Sequence, residues 1–246
     1  MISARNIHKT FEGHKVLNGI DIDIEPGKIT CLIGPSGSGK TTLLRALGLL
    51  EYPEQGNILI DNKKYHFPLP KDKPEIKKGP WPKVTVVFQS LFLWPHMTLR
   101  QNIALPALNK KRSISNLDKK IDKLVEAFDM GAFIHRYPNE ASLGQRQRVA
   151  LARALILEPQ YVLLDEITSS LDVEQIEKIL SYLQMLRAEG MGVFLITHLL
   201  GFARRAADKI VFVDGGKVQE QGGPEILENP QSPRLKKFLA TVEAAS

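Results

Sequence analysis

The stretch Gly34-Pro35-Ser36-Gly37-Ser38-Gly39-Lys40-Thr41 follows the pattern G-x-x-x-x-G-K-[ST], and no other part of this chain narrows the possible folds as far. Before it, Ile29-Thr30-Cys31-Leu32-Ile33 is a short apolar run suited to a buried strand. After it, Thr42-Leu43-Leu44-Arg45-Ala46-Leu47 has helical character. A strand, a glycine-rich turn and a helix in that order make a polyphosphate cradle. The glycines allow a sharp turn, successive backbone N–H groups face inward, and the positive end of the helix dipole stands behind them. In such a loop Lys40 meets the β and γ phosphates, the Thr41 hydroxyl holds Mg²⁺, and Thr42 lies in the same first turn.

With 246 residues, 43% of them hydrophobic, the chain can bury a substantial core. The expected fold is α/β: a phosphate-loop core of mainly parallel sheet, with an antiparallel β edge and inserted helices. Cys31 is the only cysteine, so no intramolecular disulfide forms, and a reducing compartment is expected. The N-terminal residues lack the apolar stretch of a signal peptide. No run approaches the roughly 18 apolar residues of a membrane span, so a cytoplasmic location is expected. The net charge of +6 is modest, and its basic clusters, Lys71 to Lys83 and Lys110-Lys111-Arg112, read as solvated loops. No nucleic acid partner is expected from them, and the six histidines offer no structural metal site.

Residues 2–24 alternate apolar and polar positions, as in Ile20-Asp21-Ile22-Asp23-Ile24, which predicts a half-exposed antiparallel sheet. From Tyr65 to Pro82 prolines are dense and periodicity vanishes, which predicts an irregular excursion. One domain over 1–246 is expected, with residues 1–89 and 159–246 as its α/β core and residues 90–158 as a helical subdomain.

Val162-Leu163-Leu164-Asp165-Glu166 places two carboxylates at the C-terminal tip of a buried strand, the edge of a parallel sheet where ligands bind. Asp165 suits the Mg²⁺ shell. Glu166, one residue on, can point the other way along the pleat and act as general base on the attacking water.

Further strings follow in a fixed order: Phe88-Gln89, Ala141-Ser142-Leu143-Gly144-Gln145, Ser169-Ser170-Leu171-Asp172 and Ile196-Thr197-His198. With the phosphate loop and the carboxylate pair, this order resembles the nucleotide-binding subunit of ATP-binding cassette (ABC) transporters across nearly the whole chain. The resemblance implies an ATPase using ATP and Mg²⁺. Gln89 would contact Mg²⁺ and the attacking water, Asp172 would lie in the loop crossing to a second subunit, His198 would reach the γ-phosphate, and Phe11 would stack on adenine. Ser142, Gly144 and Gln145 fit the family's Leu-Ser-Gly-Gly-Gln signature, which caps ATP held by the opposite subunit. Here Ala141 replaces the leucine and Leu143 the first glycine. If that position needs positive φ or close approach to phosphate, Leu143 is strained.

Other strings resemble the polar amino acid importers: His198-Leu199-Leu200-Gly201-Phe202-Ala203, Phe212-Val213-Asp214-Gly215-Gly216, and Asn229-Pro230-Gln231-Ser232. The partners so implied are a second copy of the chain or a homologous ATPase subunit, an integral-membrane permease and, indirectly, a solute-binding protein. The chain would then sit on the inner face of the cell membrane through the permease. Two other readings stay open on the sequence: a soluble ATPase of this type acting on nucleic acid or ribosomes, and a nucleotide-binding module that does not hydrolyse.

Overall fold

The computed structural model describes residues 1–72, 75–76, 79–108, 116–168 and 171–244. Lys110-Lys111-Arg112, part of the Lys71 to Lys83 cluster, and Ser169-Ser170 lie outside the described residues.

The chain opens with the antiparallel strands β1 (Ile2–Phe11) and β2 (His14–Ile24). The buried strand β3 (Ile29–Ile33) then runs into the glycine-rich loop and helix α1 (Lys40–Leu47). Strands β4 (Gln55–Ile60), β5 (Lys63–Phe67) and β6 (Val84–Val87) follow. Next come the helices α2 (Leu99–Leu108), α3 (Leu117–Ala127) and α4 (Leu143–Leu155). Strand β7 (Tyr161–Asp165), helix α5 (Val173–Ala188), strand β8 (Gly192–Ile196) and helix α6 (Leu200–Ala206) complete the alternation. The hairpin of β9 (Lys209–Asp214) and β10 (Lys217–Gly222) and helix α7 (Pro233–Ala244) close the chain.

Two sheets result. The antiparallel one has the order β2-β1-β4-β5, and the central one the order β10-β9-β3-β8-β7-β6, parallel except for β10. Because successive side chains on a strand point to opposite faces, the central strands divide their residues between two cores. Cys31, Val162, Leu164, Val193 and Leu195 face the helices. Leu32, Leu163, Phe194 and Ile196 face α1 and the antiparallel sheet. A strand buried on both faces reads as an unbroken apolar run, which is how β3, β7 and β8 appear in the sequence. Cys31 lies fully buried in this sheet, and burial pushes its thiol up to about 12, so it packs as an inert hydrophobe.

The proline-dense excursion begins later than expected. Lys63–Phe67 forms the edge strand β5, with Tyr65 and Phe67 buried and the alternate Lys64 and His66 exposed. Lysines and histidine on the outer face mask the apolar alternation, a common guard on sheet edges.

Candidate functional site

The loop after β3 is shaped by contacts with distant carbonyls. A Cβ at Gly34 would stand 2.1 Å from the Val213 carbonyl oxygen, and one at Gly39 would stand 2.6 Å from that of Val16. Both positions therefore require glycine for close approach as well as for their positive φ. Pro35 and Ser36 form the outer rim, while Ser38 is buried with its hydroxyl oxygen unpartnered within the protein. The N–H groups of Gly37, Gly39, Lys40 and Thr41 find no acceptor among the described residues. Thr42 follows in the first turn of α1. Lys40 is buried, and its ammonium donates to the carbonyls of Gly34 and Pro35, each at 2.9 Å. Burial lowers the Lys40 pKa, and the charges of Glu166 and Asp165 oppose that shift.

Thr41 and Asp165 meet across 124 residues of sequence, with Thr41 Oγ1 donating to Asp165 Oδ1 at 3.4 Å. Asp165 ends β7 and is only 5% exposed, and burial raises its pKa above the ordinary carboxylate value. Glu166 leaves the strand with φ 49°, so a left-handed turn sets its direction rather than the strand pleat expected from the sequence. Its backbone N–H donates to the Ile196 carbonyl at 3.1 Å. His198 Nε2 lies 2.6 Å from Glu166 Oε1. The turn carrying His198 is pinned by Thr197, whose hydroxyl accepts from the Leu199 N–H at 3.1 Å and lies 3.2 Å from the Thr168 hydroxyl. Thr168 belongs to no motif in the sequence, and Thr197 stands only as part of Ile196-Thr197-His198. A hydroxyl directly before the histidine was the available signal.

Gln89 lies two residues past β6, beside β7, and is exposed. Phe11 sits at the β1–β2 hairpin, paired with His14, and is 42% exposed, so it is not a core residue. The Lys9 ammonium lies 5.2 Å from its ring centroid. Two residues beyond His14, the Val16 carbonyl presses on Gly39, which brings this hairpin to the same end of the sheet as the loop.

Ser142, Gly144 and Gln145 form a second cluster. Ser142 caps α4: its hydroxyl accepts from the Gln145 N–H at 3.3 Å, and Gln145 Oε1 accepts from the Ser142 N–H at 3.0 Å. The N–H groups of Leu143 and Gly144 have no acceptor among the described residues, as a helix start leaves them. Leu143 takes up the first helical position and packs against the larger core. Leu143 is not among the residues of positive φ, so its backbone does not need a glycine. Asp172 caps α5 by accepting from the Gln175 N–H at 2.8 Å. Among the described residues no hydrogen bond or ion pair joins this cluster to the Gly34–Thr42 loop.

The residues fit a nucleoside triphosphate with a hard cation. The loop supplies unpaired N–H groups, a lysine and a spare hydroxyl, while Thr41 and Asp165 supply adjacent oxygens of the kind Mg²⁺ prefers. No cluster of three or more ligating His, Cys, Asp or Glu residues exists among the described residues. The cation would thus be shared with phosphate oxygens, which is its ordinary mode. A groove of about 900 Å³ lies at the opposite end of the sheet, near Pro26, Tyr161 and Met191, and the lysines Lys83 and Lys120 in its lining are paired with Asp61 and Glu158. The reactive groups are elsewhere, at the C-terminal edges of β3, β7 and β8.

Residues 17–169 match the family model described as ABC transporter. The chain is 38% identical to the glutamine transport ATP-binding protein GlnQ of Escherichia coli (strain K12), over 98% of this chain and all of that one. It is 36% identical to the histidine/lysine/arginine/ornithine transport ATP-binding protein HisP of the same organism, over 97% of this chain and 96% of that one. Among solved structures, a dimeric post-hydrolysis state of the ATP-binding cassette MJ0796 bound to ADP and Pi superposes with a TM-score of 0.78 at 30% identity. That match covers 91% of this chain and 99% of the other.

Proposed function

The chain belongs to the ABC transporter family, and from that premise we propose how its residues divide the work. It is an ATPase that powers amino acid import through a separate membrane permease. The observation that carries this reading is the meeting of Lys40, Thr41, Asp165, Glu166 and His198 at one edge of the sheet. No helix of the described residues is long and apolar enough to cross a membrane.

ATP binds with its β and γ phosphates on the loop N–H groups and Lys40, and with adenine against Phe11. Thr41, Asp165 and Gln89 would hold Mg²⁺, which neutralises phosphate charge when bound. Two copies close on two nucleotides, each γ-phosphate lying between the loop of one copy and Ser142, Gly144 and Gln145 of the other, with Asp172 at the crossing. The Ser142 hydroxyl, which accepts within its own chain, still has a hydrogen to donate to the anion. Glu166 takes a proton from water as its oxygen attacks the γ-phosphorus, and the bond to the ADP oxygen breaks. His198 orients Glu166 and reaches the departing phosphate. Loss of the bridging phosphate removes the preference for the closed state, and the pair reopens.

Residues 90–158 form the arm that carries Ser142 and engages the permease. Around Leu91 to Trp94 the backbone is held firmly: Asn102, fully buried, bonds the Trp94 N–H and carbonyl, and Arg153 donates to the carbonyls of Leu91 and Phe92. The side chains of Phe92 and Trp94 nevertheless stand in solvent, a few residues along the chain from Gln89. An anchored backbone presenting exposed aromatics suits a docking surface. A solute-binding protein on the far side of the permease supplies the amino acid.

The test is reconstitution in vesicles with a membrane permease that co-purifies with this chain. Uptake of a polar amino acid that requires Mg-ATP on this chain's side supports the reading. Uptake without the chain, or no hydrolysis of Mg-ATP, sinks it.

A further inference from the structure

Ser142 and Asp172 cap two different helices, and one side chain joins the caps. The Gln175 backbone N–H and its Nε2 donate to Asp172 Oδ1 and Oδ2, both at 2.8 Å. With Nε2 committed to the carboxylate, the carboxamide turns Oε1 onto the first turn of α4. A Cβ placed on Gly144 would stand 1.8 Å from Gln175 Oε1 and 2.6 Å from Cδ. Gln175 Oε1 is buried without a partner, and so is Oε1 of Gln147, three residues further along α4 than Gly144. Both glutamines border a space of about 10 Å³ together with Leu171 and Ile179. That volume suits one water, whose two hydrogens match the two acceptors.

We propose that Gln175 is a positioning residue for the phosphate-capping turn of α4, its carboxamide gripped by Asp172 and seated on Gly144. A side chain at position 144 would push the Gln175 carboxamide out of that seat and away from Asp172. The start of α4 and the loop that crosses to the second copy then move as one unit. The inference rests on the reading that Ser142 and Gly144 cap ATP held by the other copy.

A double-mutant cycle on the full chain tests it, using Gln175→Ala, Gly144→Ala and the pair. ATP affinity of the monomer, ATP-driven dimerisation, kcat and KM would be measured for each. Gln175→Ala should leave monomer affinity unchanged while weakening dimerisation and lowering kcat about tenfold, within the coupling range of residues in contact. Gly144→Ala should be worse, and the pair better than Gly144→Ala alone, because the truncated side chain makes room for the new methyl. Gln175→Met, which keeps bulk but loses the grip of Asp172, should also weaken dimerisation without changing monomer affinity. The proposal is overturned if the two single effects multiply, or if Gln175→Ala and Gln175→Met both dimerise like the parent. Should the parent chain itself neither dimerise on ATP nor hydrolyse it, the functional reading fails and this proposal goes with it.

Discussion

His198 Nε2 lies 2.6 Å from Glu166 Oε1, joining the turns that follow β8 and β7. The sheet register brings them there, because Asp165 pairs with Ile196 and each reactive residue stands one or two positions beyond. If His198 orients Glu166, His198→Ala should lower kcat by about 10²-fold, within the range of a positioned proton-transfer group. The Kd for ATP should change little. Steady-state kinetics beside equilibrium binding would check this, and an unchanged kcat would remove His198 from the mechanism.

Gly39 and Gly37 both have positive φ, but only Gly39 is crowded. Gly39→Ala drives a methyl into the Val16 carbonyl and should abolish nucleotide binding while costing about 1–3 kcal/mol of stability. Gly37→Ala meets nothing within 4 Å and should cost only the left-handed penalty, about 1–2 kcal/mol. Chemical denaturation of the two variants would rank them.

Asp165 lies buried beside Thr41, and burial raises its pKa in the folded chain. The native state therefore holds this proton more tightly than the unfolded state does. The stability so conferred is complete below the unfolded value, near 3.9, and is lost as pH rises through the folded value. Asp165→Asn should accordingly raise the melting temperature of the nucleotide-free chain at neutral pH while abolishing Mg-dependent hydrolysis. The gain should shrink as the pH is lowered toward the carboxylate range. A variant less stable than the parent at neutral pH would contradict this.

Leu143 opens α4 without a positive φ and packs on the core. Restoring the family's glycine by Leu143→Gly should lower stability by about 1 kcal/mol or more through lost helix propensity and apolar burial. It should not raise kcat. Ser142→Ala should cost about 1 kcal/mol as a lost cap and weaken ATP-driven dimerisation as well. Thermal melts and an ATPase assay separate these effects, and faster turnover in Leu143→Gly would show that the leucine restrains the chemistry.

Much of the site was legible in the sequence because its chemistry demands particular residue types at short spacings. Gly34 to Thr41, Asp165-Glu166 and His198 each close a strand whose apolar run is unmistakable. What stayed hidden depends on contacts between distant segments. The carbonyls of Val16 and Val213 dictate glycine at positions 39 and 34, yet nothing in a valine announces it. Gln175 gains its place only when α5 lies beside α4. The edge strand β5 was missed because its outward lysines and histidine hide the alternation of Tyr65 and Phe67. At Leu143 the sequence left open whether the family's glycine meets a positive φ or a close approach to phosphate, and the backbone answers the first alone, with an ordinary helical position.

The central claim is that ATP is held between two copies of this chain. The most direct measurement is sedimentation of Glu166→Gln with Mg-ATP, which should bind nucleotide but hydrolyse it about 10²–10⁴-fold more slowly. The account predicts a stable dimer carrying two ATP, dispersed when Ser142→Ala is added. A chain that binds ATP and stays monomeric at every concentration would contradict it.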